Sequence, residues 1–441
     1  MTLKEAIKEQ INMKQTIKDR RESIKQDIVP DGYKKTELGH LPMEWEIMQI
    51  ANIGDVITGS TPSTKNSEYY GGEYFFVSPA DIGNKKYVEN TERKLSKKGF
   101  NISRKIPKNS VLVTCIGSTI GKIAMSDREV TTNQQINSIV CHEEINAEFI
   151  YYALDYYFNR LKKAYIAHQA VPIINKTEFS KIPLPIPKLE EQQKIADVLS
   201  AWDRTIELKK LLIKEKEEQK KGLKETIFSS RGDNKWQYFT LGDIGEFRTS
   251  SVNKKDNPDE KSVNLLNYMD VYNNKEINQK IKYMKTTATD HQIKTNDAQI
   301  GDVFFTPSSE TRDDIGHSAV VTEEIQDLVY SYHLIRFRIN PNIDFDNRFR
   351  AYCFNTRTIL RQMSRLCTGS TRYTLSIKDF ESISFYLPPL PEQRRIAEIL
   401  STADREIELL KDEVNYLVDQ KKGLMQLLLT GIVRTEGDDD A

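Results

Sequence analysis

The chain has 441 residues, too many for one ordinary hydrophobic core and enough for two to four domains. Its 64 Lys and Arg balance 64 Asp and Glu. A globally basic nucleic-acid binder is thereby excluded, and any surface for a polyanion must come from locally segregated charge. Four cysteines (Cys115, Cys141, Cys353, Cys367) are scattered without C-x-x-C spacing, and no charged-then-apolar leader or long apolar run occurs. The expectation is a soluble, cytoplasmic, disulfide-free protein.

Residues 1–40 read as a charged N-terminal helix and linker. Leu3, Ile7, Ile11, Met13, Ile17 and Ile24 follow a helical period, which Pro30-Asp31-Gly32 ends. Docking beside another helix and a solvated terminal helix are both consistent with this pattern.

Residues 41–187 alternate short β-type runs (74–77, 110–116, 136–141) with turn clusters, then give a helix-like aromatic stretch over 149–161. This reads as a mixed α/β domain holding 17 basic and 15 acidic residues. Its loops present Ser60, Thr61, Ser63 and Lys65, then Ser118, Thr119 and Lys122, then Asn133, Gln134 and Gln135. Asn and Gln can pair with adenine edges, Lys with guanine or phosphate, and Ser and Thr with either. Ordinary turn chemistry is the competing reading of each loop residue.

Residues 188–231 form a long helix, and residues 232–388 repeat the domain order. Strands are expected over 303–306, 318–322 and 331–339, with one helical pattern over 345–366. This second domain has 20 basic and 21 acidic residues. Its loops carry Arg248; Ser308, Ser309, Thr311 and Arg312; and Ser370, Arg372 and Tyr373. Arg350, Arg357 and Arg361, with Arg365 nearby, fall in a narrow arc at ~100° per residue and predict a basic stripe suited to phosphates. A solvated basic face is the alternative. Residues 389–432 form a second long helix, and 433–441 an acidic tail.

The organising feature is a duplication. Residues 182–223 and 383–424 align without a gap at an offset of 201, with nearly half of the positions identical. Upstream, the segment beginning at Trp45 is echoed by that beginning at Trp236. The second helix has apolar residues at steps of four and three (Ile396, Leu400, Ala403, Ile407, Leu410, Val414, Leu417), which is coiled-coil spacing. The first copy keeps Ile195, Leu199, Trp202, Ile206 and Ile213 but sets Lys209, Lys216 and Lys220 in the seam, where Leu208, Leu211 and Leu212 offer a shifted apolar face. Prolines 183, 185 and 187, and 388, 389 and 391, fix the two helix starts. A helix of roughly 40 residues spans ~60 Å. The fold class expected is therefore mixed α/β: two α/β domains separated by two long antiparallel coiled-coil helices in a pseudo-two-fold internal repeat. A plain coiled-coil linker or dimer is the competing interpretation.

Signatures of chemistry are missing. The segment from Gly117 to Lys122 is one residue short of a phosphate-binding loop and has Ile123 where a magnesium-binding hydroxyl belongs. The six histidines (His40, His142, His168, His291, His317, His333) lack metal-ligand spacing, and Pro258-Asp259-Glu260-Lys261 lacks a nuclease's separated acid and lysine. No dinucleotide fingerprint or Asn/Asp-Pro-Pro-aromatic run is present. A stand-alone methyltransferase or nuclease, and a coiled-coil scaffold without DNA function, remain as alternatives.

The twin P-K-L-E-E-Q-Q-K-I-A and P-P-L-P-E-Q-R-R-I-A helix starts, the S-x-x-D-R-x-I-E-L runs, K-K-G-L, and V-L-V-T-C-I-G-S-T-I-G-K with T-N-Q-Q-I-N resemble the specificity subunits of type I restriction–modification systems. The resemblance covers residues 41 to about 431. It implies two target-recognition domains, each reading half of a split double-stranded DNA site, and spacer helices that fix the gap. It further implies two methyltransferase subunits docked on the spacers, joined by restriction/translocase subunits, with no membrane partner. S-adenosylmethionine, ATP and Mg would be used by those partners, and no cofactor by this chain. Carried over by position, Gln192, Ile195, Leu199, Asp203 and Arg204, with Gln393, Ile396, Leu400, Asp404 and Arg405, would lie on the partner-binding spacer. The sequence departs from the family pattern at I-S-F-Y-L-P-P, which ends the second domain, and at S-S-E-T-R-D-D in place of G-S-T-I-G-K.

Overall fold

The computed structural model describes residues 15–83, 85–166, 171–229 and 235–435. The chain divides into two compact units, Met1–Lys209 with Glu413–Ala441, and Lys210–Asp412. Both boundaries fall inside the long helices Leu189–Ser229 and Leu390–Leu429. Domains counted along the sequence therefore do not coincide with compact units, because each unit takes part of both helices. Of the N-terminal helix expected from the sequence, residues 15–25 are helical and the earlier positions lie outside the described residues.

In the first unit, Glu46–Gln49 pairs antiparallel with Pro183–Ile186, so the start and end of the α/β domain meet in one ribbon. Between them lie two sheets. One is antiparallel, in the order Gly54–Thr58, Ile136–Cys141, Val111–Thr114, Ile123–Met125. The other is mixed, in the order Arg93–Leu95, Tyr70–Val77, Val130–Thr132, Lys105–Ile106. Helix Ala147–Tyr165 starts where the Asn146 side chain accepts a hydrogen bond from the Phe149 amide at 2.9 Å, satisfying one of the amides a helix start leaves free. It buries Phe149, Tyr152, Tyr157 and Phe158 in a core shared with Trp45, Ile195, Leu199, Leu428 and Leu429.

The second unit repeats the plan with different strands. Gln237–Thr240 pairs with Ser384–Leu387. A five-stranded sheet runs Gly245–Thr249, Ile335–Ile339, Val303–Phe305, Ser318–Val321, Glu276–Ile277, beside a three-stranded sheet of Met284–Ala288, Lys261–Leu266 and Leu328–Tyr330. Phe247, Phe305, Phe337, Phe345, Phe354, Phe380 and Phe385 form a network of ring contacts in its core.

Two expectations fail here. The helical pattern over 345–366 is two helices, Asn347–Cys353 and Arg357–Leu366. The break falls at Asn355, whose side-chain amide donates to the Ser318 carbonyl at 2.8 Å and accepts the Ser318 amide at 3.0 Å, holding the sheet where another helical turn would pass. Most of the shifted apolar face is not used either: Leu208 and Leu211 are each 57% exposed, and only Leu212 is half-buried. Lys209, Lys216 and Lys220 stay at the seam and are neutralised there by Glu413, Glu406 and Asp404.

Candidate nucleic-acid interface and spacer seam

Each long helix begins with the same device. Leu189 and Leu390 open the helices immediately after proline-rich segments, where missing amides cost nothing. Gln192, 1% exposed, donates to the Pro187 carbonyl at 2.9 Å and accepts the Asn146 amide at 2.8 Å. Gln393, equally buried, donates to the Pro388 carbonyl at 2.7 Å and accepts the Asp346 amide at 2.8 Å. One side chain thus ties the helix start to the start of its domain's own helix.

Farther along, apolar side chains close the seam, and an acid–tyrosine–lysine cluster interrupts it in both units. Asp203 accepts from the Tyr152 hydroxyl at 2.6 Å and from Lys421 Nζ at 2.5 Å. Asp404 accepts from the Tyr352 hydroxyl at 2.7 Å, from Lys220 and from Lys275. Lys220 and Lys421 are equivalent positions of the duplication, so each lysine meets the aspartate of the other helix. Burial pushes the Asp404 carboxyl up, but hydrogen bonds from Lys220, Lys275 and Tyr352 outweigh it and hold the group below its ordinary value. Burial, then the hydrogen bond to Asp404, pushes the Tyr352 hydroxyl well above its usual range. In the first unit Lys86 reaches Glu148 and Ser200, each at 2.8 Å, and so fastens a domain loop to the helix.

The ten spacer residues carried over by position all lie on the two long helices and divide by the way they face. Gln192, Ile195, Leu199 and Asp203, and Gln393, Ile396, Leu400 and Asp404, face inward and are engaged within their own units. Arg204 and Arg405 are exposed. The outward apolar residues include Val198, Leu208, Ile399 and Leu409, which stand at equivalent positions of the repeat.

The first domain's polar loops converge at one end. The Ser60 amide donates to the Thr132 carbonyl at 2.9 Å, and the Thr61 hydroxyl donates to Gln134 Oε1 at 2.5 Å. Gly59 permits the approach, since a Cβ there would stand 2.3 Å from the Thr132 and Asn133 carbonyl oxygens. Asn133 and Gln135 bond each other, and the Gln135 side chain lies beside Gly117. Ser63, Lys65, Ser118 and Gln134 are exposed, and Thr119 and Lys122 half-buried. Lys122 Nζ donates to the Pro79 carbonyl at 3.3 Å. The Gly117 segment joins strands Val111–Thr114 and Ile123–Met125 and precedes no helix, which excludes a phosphate-binding loop. Arg104, overlooked in the sequence, joins this end through bonds to Thr58 and Ser60.

In the second domain the ribbon Ser308–Ser309 with Tyr373–Thr374 brings two candidate loops together. Arg372 donates to the Ser308 hydroxyl at 3.1 Å, and the Arg312 guanidinium lies 5.2 Å from the Tyr373 ring centre. Gly369, at φ +130°, allows the tight turn that carries Ser370 and Arg372. Thr311 is exposed, while Ser309 is buried and accepts the Thr311 amide. Tyr268 donates to the Ser308 carbonyl and stacks on Tyr272. His333 is held below its ordinary value by burial and then by Lys254 and Arg372. Neither Tyr268 nor His333 was legible, because their loops are remote in sequence.

Arg248 is exposed and donates to the Thr295 carbonyl at 3.3 Å. The basic stripe is broken. Arg350 belongs to the shorter helix and donates to the Gly301 and Phe345 carbonyls at 2.6 and 2.7 Å, with burial lowering it to about 10. Arg357, Arg361 and Arg365 remain exposed on the following helix. Among the described residues, no group of three His, Cys, Asp or Glu could hold a metal, and no helix is long and apolar enough to cross a membrane.

Two α/β modules that each gather polar loops at one end and carry an ion-paired helix seam define a duplicated recognition scaffold. The model of the type I restriction modification DNA specificity domain matches residues 42–218 and again 233–417. The chain belongs to that family and is a non-catalytic specificity subunit, the component that recognises DNA sequence. It is 34% identical over 183 residues to the MjaIX specificity subunit of Methanocaldococcus jannaschii, covering 40% of this chain and 42% of that protein. It is 23% identical to the MjaVIII specificity subunit of the same organism over 92% of this chain and 97% of that one. A solved chain described under complex assembly and conformational transition of the type I R-M system superposes with a TM-score of 0.61 at 15% identity, covering 89% of this chain and 99% of that one.

Proposed function

We propose that each α/β domain reads one half of a two-part, asymmetric double-stranded DNA site. The spacer helices set the gap between the halves and dock two methyltransferase subunits, and restriction/translocase subunits join that complex. S-adenosylmethionine, ATP and Mg are used by those partners, and this chain binds none of them. The observation that carries the reading is the convergence of unlike polar loops on duplicated scaffolds: Ser60, Thr61, Asn133 and Gln134 in one domain, and Ser308, Arg312, Arg372 and Tyr373 in the other. Similar frames with different hydrogen-bonding groups suit two different half-sites. Exposed Val198 and Leu208, and equivalent Ile399 and Leu409, supply an apolar surface for the docked subunits.

The test is a methylation map of host DNA with and without the gene for this chain. Disappearance of a two-part motif is expected, and an unchanged map in a strain with active methylation would overturn the reading. Exchanging residues 232–388 for the same region of another family member should change only one half of the motif.

A further inference from the structure

We propose that the Asp203–Lys421 and Asp404–Lys220 pairs are register pins, positioning residues that hold the gap between half-sites to a single length. The inference rests on the two-half-site reading above. A seam of apolar residues repeating every seven positions packs almost equally well when one helix slides by a heptad, so apolar packing alone leaves the register weakly defined. A lysine inside that seam is satisfied only opposite a carboxylate. Slid by seven residues, Lys421 would face Ala196 or Lys210 in place of Asp203, and Lys220 would face Ala397 or Lys411 in place of Asp404. Ala196 and Ala397 are buried. Each slip therefore buries an unpaired charge or opposes two like charges, both costly.

The tyrosines extend this control to the domains. Tyr152 and Tyr352 donate to the same carboxylates from each domain's own helix. Lys275 also reaches Asp404 from a loop of the second domain. One carboxylate therefore fixes helix against helix and helix against domain. Lys421 is 15% exposed and Asp203 31%, so the pair is shielded enough for its loss to be felt.

Whole-chain variants, reconstituted with the cognate methyltransferase subunits, would be assayed on duplexes carrying the native motif with its gap unchanged or altered by about three base pairs, the step that matches a heptad shift of ~10.5 Å. Lys421→Met removes the charge while leaving an apolar seam, and replacing ion pairs by apolar side chains commonly preserves stability. Methylation of the native gap should persist, while preference over the altered gaps falls at least tenfold. The exchanged pair Asp203→Lys with Lys421→Asp should regain preference relative to Lys421→Met. Thermal unfolding of each variant shows whether it is folded. A folded Lys421→Met protein with undiminished gap preference would overturn the pins, as would an exchanged pair that unfolds normally yet regains none. Absence of any two-part motif for the unaltered protein would instead refute the underlying functional reading.

Discussion

Half-buried Lys224 shows how far a single side chain departs from its free behaviour. Its ammonium donates to the Asn355 carbonyl at 2.6 Å, and burial, reinforced by Lys220, lowers it to about 8. Between about 8 and the ordinary value of 10.5 the unfolded chain holds a proton that the folded chain has released, so stability should rise with pH across that window. The rise is at most ~3 kcal/mol. In Lys224→Met it should vanish, as read by urea unfolding at pH 7, 8, 9 and 10. A second site is a buried ion pair. Glu191, 1% exposed, accepts from Trp45 at 3.0 Å and from Arg434 at 2.8 and 3.0 Å. Arg434→Met strands that buried carboxylate and should destabilise the first unit by ~3 kcal/mol, with Glu191→Gln in the same chain recovering part of the loss. Neither environment was legible in the sequence. Nothing in the sequence sets Lys224 apart from the other lysines of its helix, and nothing near Glu191 announces an arginine more than two hundred residues away.

At the scale of elements, the two long helices were the most legible feature, since repeated proline-rich starts and a heptad need no partner to be recognised. What those helices do with Gln192 and Gln393 required their neighbours, because each reaches a backbone amide in a different element. Alanine at either position leaves a buried amide and carbonyl without partners. The two variants should therefore lose similar stability, ~1–3 kcal/mol each, by thermal or chemical unfolding. A large difference between them would show that the duplicated starts are not equivalent. The misread helix over 345–366 has a related cause: its periodicity was sound, but Asn355 gains more by bonding Ser318 than by continuing the helix. The arginine stripe failed with it, since a face computed along one continuous helix has no meaning across a break.

For the molecule as a whole, zero net charge is consistent with a DNA-reading role because part of the basic charge, on Lys209, Lys216, Lys220, Lys411 and Lys421, is paired with carboxylates along the helices. The second domain still gathers Arg312 and Arg372 at its candidate loops. Replacing Arg372 with Ala should weaken DNA binding by the assembled complex and reduce its salt dependence by about one counterion if the side chain meets a phosphate. Relaxed selectivity at one base position would instead identify a base contact. Titrations at several salt concentrations separate the two. Family and fold class were legible because duplication is a property of sequence, whereas the reading surface forms only when distant loops meet.

The first unit's core joins Trp45, Ile195 and Leu199 to Met425, Leu428 and Leu429, so a segment made early packs against one made much later. Residues 210–412 contain all of the second unit. On the ribosome the order of maturation should therefore be reversed: the later-made unit can close first, while the earlier one waits with an open apolar flank until its final helical turns emerge. Chains that end at residue 412, assayed after release from the ribosome, should protect the second unit from protease and leave the first susceptible.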